Sequence, residues 1–360
     1  MGVTPDLTVE IASRYAVYLE GVKEGNVRKF DKFIREMQAD ILRQIRAIDD
    51  PASLTKKRLN EILRAVNEAV QTGAANYEKI WRAQALELGE YAAQFEIKAM
   101  GRVVRADFLL PTPNQLAAAA FATPLGAEGI YEGMLLDAFF KDVSSKTKTR
   151  VAGAVRLVAA QGGTTQDLVR RIRGTRASKF KDGLMELARR DVNALARTSL
   201  AHVSSTSRMA VWKANPDIVE QVELLAVLDS RTTEPCRSLS GQRFDIDKAP
   251  QPPLHINCRS GLMPVFNDGL DFLDKAGSQF SRGPDGIKRV SPDMTYYQYL
   301  KTQSPAFQDS VIGPSRGALL RDGGLSTDDF ARLQLNKNFR PITLADMQKL
   351  EPLAFESAGL

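Results

Sequence analysis

The chain has 360 residues, a formal charge of +6, 43% apolar and 26% charged residues, and two cysteines. That length predicts two or three domains with sizeable cores, and two cysteines exclude a disulfide scaffold and point to a reducing compartment. No apolar run approaches the roughly 18–20 residues that span a bilayer; Leu116 to Ala122 comes nearest and is followed by Pro124.

The first hundred residues read as helix. Phe30, Phe33, Ile34, Met37, Ile41 and Ile45 recur at three- and four-residue steps and form one stripe. Pro51 is expected to end that segment. Leu59, Ile62, Leu63, Val66 and Val70 repeat the pattern, and a third helix is expected over residues 76–100. The beginning "MGVTPDLTVE" shows no apolar signal-peptide core, and Asp6 stands where a myristoylation motif needs Ser or Thr. Residues 109–129 contain three prolines and read as a loop or boundary. Helical periodicity returns over residues 131–160. Thr164 or Thr165 can cap the next helix, with Asp167 near its positive end, and a longer helix runs over residues 183–213. The texture then changes. Residues 219–229, 241–246 and 261–266 read as strands. Residues 278–295 read as a linker or wrapped loop, and the remainder as short helices, with Ser326 and Asp329 resembling a capping box.

Charge is concentrated. Residues 146–190 hold twelve Lys/Arg against three Asp/Glu, an excess larger than that of the whole chain. Arg170, Arg171, Arg173, Arg176, Lys179 and Lys181 are the candidates for contact with an anionic partner, either nucleic acid or an acidic protein face. The plainer reading is a solvated helical face.

Chemistry is concentrated elsewhere. Both histidines and both cysteines fall between His202 and Cys258. The run "PPLHINCRSGLMPV" places His255 and Cys258 with two residues between them, and Cys236 lies on a preceding loop. Thiolate and imidazole are the donors zinc prefers. Asp229, His202 or water could complete a set of four. Three readings stay open: zinc, a Cys236–Cys258 disulfide, or two buried thiols with His255 hydrogen-bonded in a turn. A nuclease-like or thiol-dependent enzyme using His255 with Cys236 or Cys258 is a weaker alternative. "GGTTQD" lacks a P-loop lysine, and no H-E-x-x-H motif occurs.

The stretches "ALARTSLAHVSSTSRMAVWKAN", "LDSRTTEPCRSLSGQRF" and "PPLHINCRSGLMPV" resemble the phage Mu F-like minor head protein family, also called the phage head morphogenesis family. The matching positions are Arg197, Thr198, Asp229, Arg231, Thr232, Cys236, Leu239, Gly241, Pro253, His255, Asn257, Cys258 and Arg259. Ser199 departs from the pattern, because the family often carries an acid there, and His202 lies outside it. The resemblance implies an α+β protein: a long helical N-terminal region, a small module with a few short antiparallel strands, and an extended C-terminal tail. The expected division is a helical arm (1–108), a linker (109–130), the Mu F-like module (131–267) and a tail with short helices (268–360). It further implies a non-enzymatic minor structural protein of a tailed-phage head, made in the host cytoplasm and placed in the head interior or at the portal vertex. The implied partner is the portal protein, with major capsid or scaffolding protein and packaged double-stranded DNA as further candidates, and no membrane.

Overall fold

The computed structural model describes residues 4–47, 56–129, 131–270, 272 and 276–360. Pro51, the expected end of the first helix, lies outside the described residues. Six helices come first: α1 (Asp6–Arg46), α2 (Lys56–Met100), α3 (Pro113–Ala122), α4 (Leu136–Ala160), α5 (Thr165–Arg173) and α6 (Leu184–Ala214). The α1 stripe is buried as the periodicity requires, with Phe30, Ile41 and Ile45 at 0% exposure. It shares one core with Val66, Val70, Tyr77 and Trp81 of α2 and with Phe139 and Phe140 of α4. Each such fully buried side chain contributes about 1.5–3 kcal/mol.

Two expectations change here. The helices anticipated at 59–70 and 76–100 are one, because only Gly73 weakens the intervening stretch, and a single glycine costs a helix about 1 kcal/mol. That glycine is useful: a Cβ on it would stand 3.1 Å from Met37 Cβ, so its absence lets α1 and α2 approach. The proline-rich segment at 109–129 contains a helix. Thr112 and Gln115 form a capping box, and Pro113 occupies the first turn, where its missing N–H costs nothing. The cap expected at Thr164 is present, with the Asp167 side chain answering its backbone N–H.

Helix α6 packs against α1, α2, α3, α4 and α5. Its buried face is unusually polar for so central a helix, with Thr198, Ser199, His202, Ser204, Thr206 and Ser207 all buried. Two of them bond within their own helix: Ser199 Oγ donates to Ala196 O and Thr206 Oγ1 to His202 O. His202 instead reaches α3, where Ala120 O accepts from its Nε2 at 3.1 Å.

The second half holds β1 (Val219–Leu225), β2 (Leu228–Asp229), α7 (Glu234–Ser238), β3 (Arg243–Asp245), β4 (Gly261–Phe266), β5 (Gln279–Gly283) and β6 (Gly286–Val290). Strand β1 lies between β3 and β4, antiparallel to both. The single strand expected over 219–229 is two, because the chain leaves this sheet after Leu225. Residues Leu228 and Asp229 pair in parallel with Ser281 and Arg282 of β5 in a second sheet. The expected linker at 278–295 is a hairpin: β5 and β6 are antiparallel around Pro284 and Asp285, and Gly286 takes the positive φ of +96° that this tight turn requires. Short helices follow, α8 (Tyr296–Lys301), α9 (Pro305–Ile312), α10 (Pro314–Asp322), α11 (Thr327–Leu333), α12 (Leu344–Leu350) and α13 (Pro352–Ser357). They surround a core of Tyr296, Tyr297, Leu319, Phe330, Met347 and Phe355, which Leu228 joins.

His202 generates a test. Burial lowers its pKa from 6.5 to about 4, so the folded chain stays neutral there while the unfolded chain takes up a proton. Its contribution is whole above pH 6.5 and is lost progressively as pH falls toward 4, on the order of 3 kcal/mol in total. His202→Gln keeps a donor for Ala120 O and should flatten the acid slope. Urea unfolding of both proteins at pH 7 and pH 4.5 should show a smaller loss in the variant; equal losses would contradict the assignment.

Candidate functional site

The motif residues converge on one corner. Helix α7 carries Cys236, and the loop entering β4 carries Pro252 to Arg259. Loop closure brings Cys236 Sγ to 3.7 Å from Cys258 Sγ, and both thiols are free, at 0% and 1% exposure. One ligand atom each from Cys236, His255 and Cys258 lies within 4.8 Å of the others. The His255 ring is half-buried. Its Nδ1 is 2.9 Å from Ile256 O, and since a carbonyl only accepts, Nδ1 carries a proton, and in the neutral ring Nε2 holds the lone pair.

The loop is held from several sides. The Pro252–Pro253 peptide is cis. Asn257 adopts φ +62°, a left-handed conformation that asparagine tolerates better than most residues, and its N–H donates to Thr198 Oγ1 at 3.0 Å. Cys258 N–H donates to His255 O at 3.1 Å, closing the turn. Gly241, at φ +79°, approaches Thr295 so closely that a Cβ would stand 2.9 Å from its Cγ2. Leu239 is buried in the same core as the two cysteines.

The electrostatics follow from contact. The hydrogen bond with Cys258, reinforced by burial, pushes the Cys236 thiol well up. The bond from Cys236 holds Cys258 well below the usual thiol range despite burial, and His255 adds to this. Burial alone would lower His255, but the neighbouring Cys258 sulfur outweighs it and leaves the imidazole raised.

Asp229, expected as a fourth ligand, is committed elsewhere. Arg259 grips it with two hydrogen bonds of 2.6 Å, and Arg231 N–H donates to Oδ1 at 3.0 Å. Arg231's own side chain is exposed and stands 3.6 Å away. Thr232 Oγ1 donates to Val227 O, steadying the same turn. Burial would raise the Asp229 pKa, but Arg259 outweighs it and the carboxyl stays below its ordinary value. His202 does not join the cluster, being held by α3. Arg197 leaves the corner as well and pairs with Glu20 and Glu24 of α1. Ser199 is fully buried, and it is satisfied by a helix carbonyl where a carboxylate would have to find a cation.

Two residues that the motif did not contain complete the corner. Lys23 of α1, at 1% exposure, donates from Nζ to Cys258 O at 3.1 Å and pairs with Glu20 at 2.8 Å. Tyr296 donates its hydroxyl to Asp229 O at 2.7 Å. Lys23 left a trace in the sequence: it continues, at a four-residue step, the buried stripe Val27, Ile34, Ile41 of α1. A lysine on an apolar stripe needs a buried acceptor.

The basic stretch forms a separate feature. Arg170, Arg171 and Arg173 end α5, and residues 174–183 loop on to α6. Asp182 ties the loop shut, accepting from Thr175 N–H and Thr175 Oγ1, each at 2.8 Å. Lys179 and Phe180 adopt φ +51° and +63°, and the Arg173 guanidinium lies 4.5 Å over the Phe180 ring. Arg170 pairs with Asp167, and Arg189 and Arg190 with Glu186. Arg171, Arg173, Arg176, Lys179 and Lys181 are exposed, and among the described residues no carboxylate stands within ion-pair distance of them.

A helical scaffold thus supports a small α+β module cornered on two thiols, a histidine and a buried Asp–Arg pair. Residues 149–263, about a third of the chain, match the family model Phage Mu protein F like protein. Neither the curated proteins nor the solved structures provide a match.

The Asp229–Arg259 pair should be indispensable to the corner. Their side chains are 6% and 13% exposed, so Arg259→Met strands a buried carboxylate and should lower unfolding free energy by roughly 3 kcal/mol. Adding Asp229→Asn should recover part of that loss. Denaturant unfolding of the two single variants and the double would show the coupling; strictly additive losses would refute it.

Proposed function

We propose that the protein is a minor structural component of a tailed-phage head, acting in head morphogenesis. The match of residues 149–263 to the Mu F-like family carries this reading. The geometry of the corner agrees with it. A thiol enzyme needs a sulfur its substrate can reach, and Cys236 and Cys258 are at 0% and 1% exposure. Asp229 is engaged with Arg259 and does not orient His255 as a base. Among the described residues no helix is long and apolar enough to cross a membrane.

The portal protein is the favoured partner, at the portal vertex or in the head interior. A groove between α1 and the second sheet supports contact with protein. It is lined by Val17, Leu225, Phe280 and Ile287, of which Val17 and Ile287 are 62% and 70% exposed. Apolar side chains so exposed, gathered in one groove, mark protein contact surfaces. Quantitative mass spectrometry of purified virions and proheads should find this chain at a few copies per particle. Particles that mature normally without it would overturn the reading.

The closed loop at 174–183 suits packaged double-stranded DNA as a second partner, since its cations are exposed and free of carboxylates. Binding of a duplex to the full chain should then fall linearly in log K against log salt. Replacing Arg176, Lys179 and Lys181 by Ala should lower that slope by about 0.9 for each phosphate contact removed. An unchanged slope, or no binding at low salt, would direct these cations to an acidic protein face instead.

A further inference from the structure

We propose that Cys236, His255 and Cys258 bind one zinc ion that fixes the loop before β4 to helix α7. Three independent features point to it. First, two thiolates bound about 2.3 Å from a tetrahedral zinc stand about 3.8 Å apart, and the two sulfurs here are 3.7 Å apart without being bonded to one another. Second, the histidine has a ring nitrogen free to bind zinc. Its Nδ1–H is anchored to Ile256 O, which leaves Nε2 as the donor. A backbone carbonyl on the second ring nitrogen is the usual support of a metal-bound imidazole. Third, the charge balances. Two thiolates and a divalent cation sum to zero, so the ion removes the difficulty of sulfur anions at 0% and 1% exposure among apolar neighbours.

The surroundings make the ion structural. Asp229, the carboxylate drawn into the corner by the motif, is gripped by Arg259 and is not available as a general base for a bound water. The fourth position falls to solvent on the side of His255, the one ligand that is not fully buried. Binding exchanges thiol protons for the metal, so the two cysteines release their protons and no redox change occurs. The inference does not depend on the head-assembly reading: a zinc staple would serve this module in any role.

The test uses the full chain, purified under reducing conditions with zinc present and then desalted. Elemental analysis should find one zinc per chain. Thiol titration of the native protein should show both cysteines protected until a chelator is added. Cobalt(II) added to the metal-free protein should give the intense d–d bands of a tetrahedral site and thiolate-to-metal charge transfer. Cys236→Ser, Cys258→Ser and His255→Gln should each reduce metal content well below half an ion per chain. If a variant fails to fold, the cobalt spectrum of the unmodified protein decides. A folded chain that retains no zinc and gives no tetrahedral cobalt spectrum would overturn the proposal, whether its thiols are then free or joined as a disulfide.

Discussion

The bidentate bond between Arg259 and Asp229 joins three parts of this molecule. On one side, Arg259 is the residue after Cys258 and ends the loop that carries the sulfur–imidazole cluster. On the other, Asp229 is the last residue of β2, whose two-residue parallel pairing with β5 starts the second sheet. The Asp229 carbonyl takes the Tyr296 hydroxyl, which anchors the first of the C-terminal helices. A buried ion pair contributes little net stability compared with apolar packing, but it punishes the loss of either partner. Its work here is positional: it ties the loop to the second sheet and, through the Asp229 carbonyl, to the C-terminal helices.

The same economy governs the helical half. Helix α6 touches five other helices, and serines, threonines and alanines share its buried face with Leu195 and Leu200. Small side chains allow close approach, as at Gly89 of α2, where a Cβ would stand 2.9 Å from Ser207 Oγ. Several of the larger polar groups are then paired across the helices. Arg208 donates to Glu96 at 2.6 Å, Trp212 donates to the other oxygen of Glu96 at 2.8 Å, and Arg208 lies 5.0 Å from the centre of the Tyr15 ring. Tyr15 in turn bonds Ser204 at 2.7 Å. Helices α1 and α2 are therefore keyed to α6 by polar contacts as well as by apolar burial. With Lys23 of α1 bonded to Cys258 O, the N-terminal helices reach the corner of the module directly.

Legibility in the sequence followed the range of the interaction. The α1 stripe from Phe30 to Ile45 and the Thr164–Asp167 cap were readable because periodicity and capping act within a few residues. The helix at Pro113 carried the same kind of signal, a Thr-Pro-Asn-Gln start, but three prolines and two glycines in twenty-one residues outweighed it. The Gln279–Val290 hairpin escaped because β6 is largely exposed and charged, so it lacks the apolar alternation that marks a strand. The cysteine–histidine cluster was readable from spacing and motif. The diversion of Asp229 to Arg259 was not, because both residues belong to the motif and spacing does not say which neighbours pair. Lys23 lies 235 positions from its acceptor, and only the folded packing of α1 on the loop connects them.

Placement of charge separates two tasks that the sequence ran together. The corner neutralises its charges internally: Arg259 on Asp229, Lys23 on Glu20, sulfur beside imidazole. The loop at 174–183 does the reverse. Its one internal acid, Asp182, is consumed by Thr175, and that bond holds Arg176, Lys179 and Lys181 outward. The close contacts that a Cβ would make at Gly183, 2.4 Å from Arg173 O, show how tightly the loop ends are drawn together. Cations held on a closed loop lose less conformational freedom when they bind than cations on a flexible tail. Side chains at the corner are thus spent on the fold, and the cations of the loop are left facing solvent.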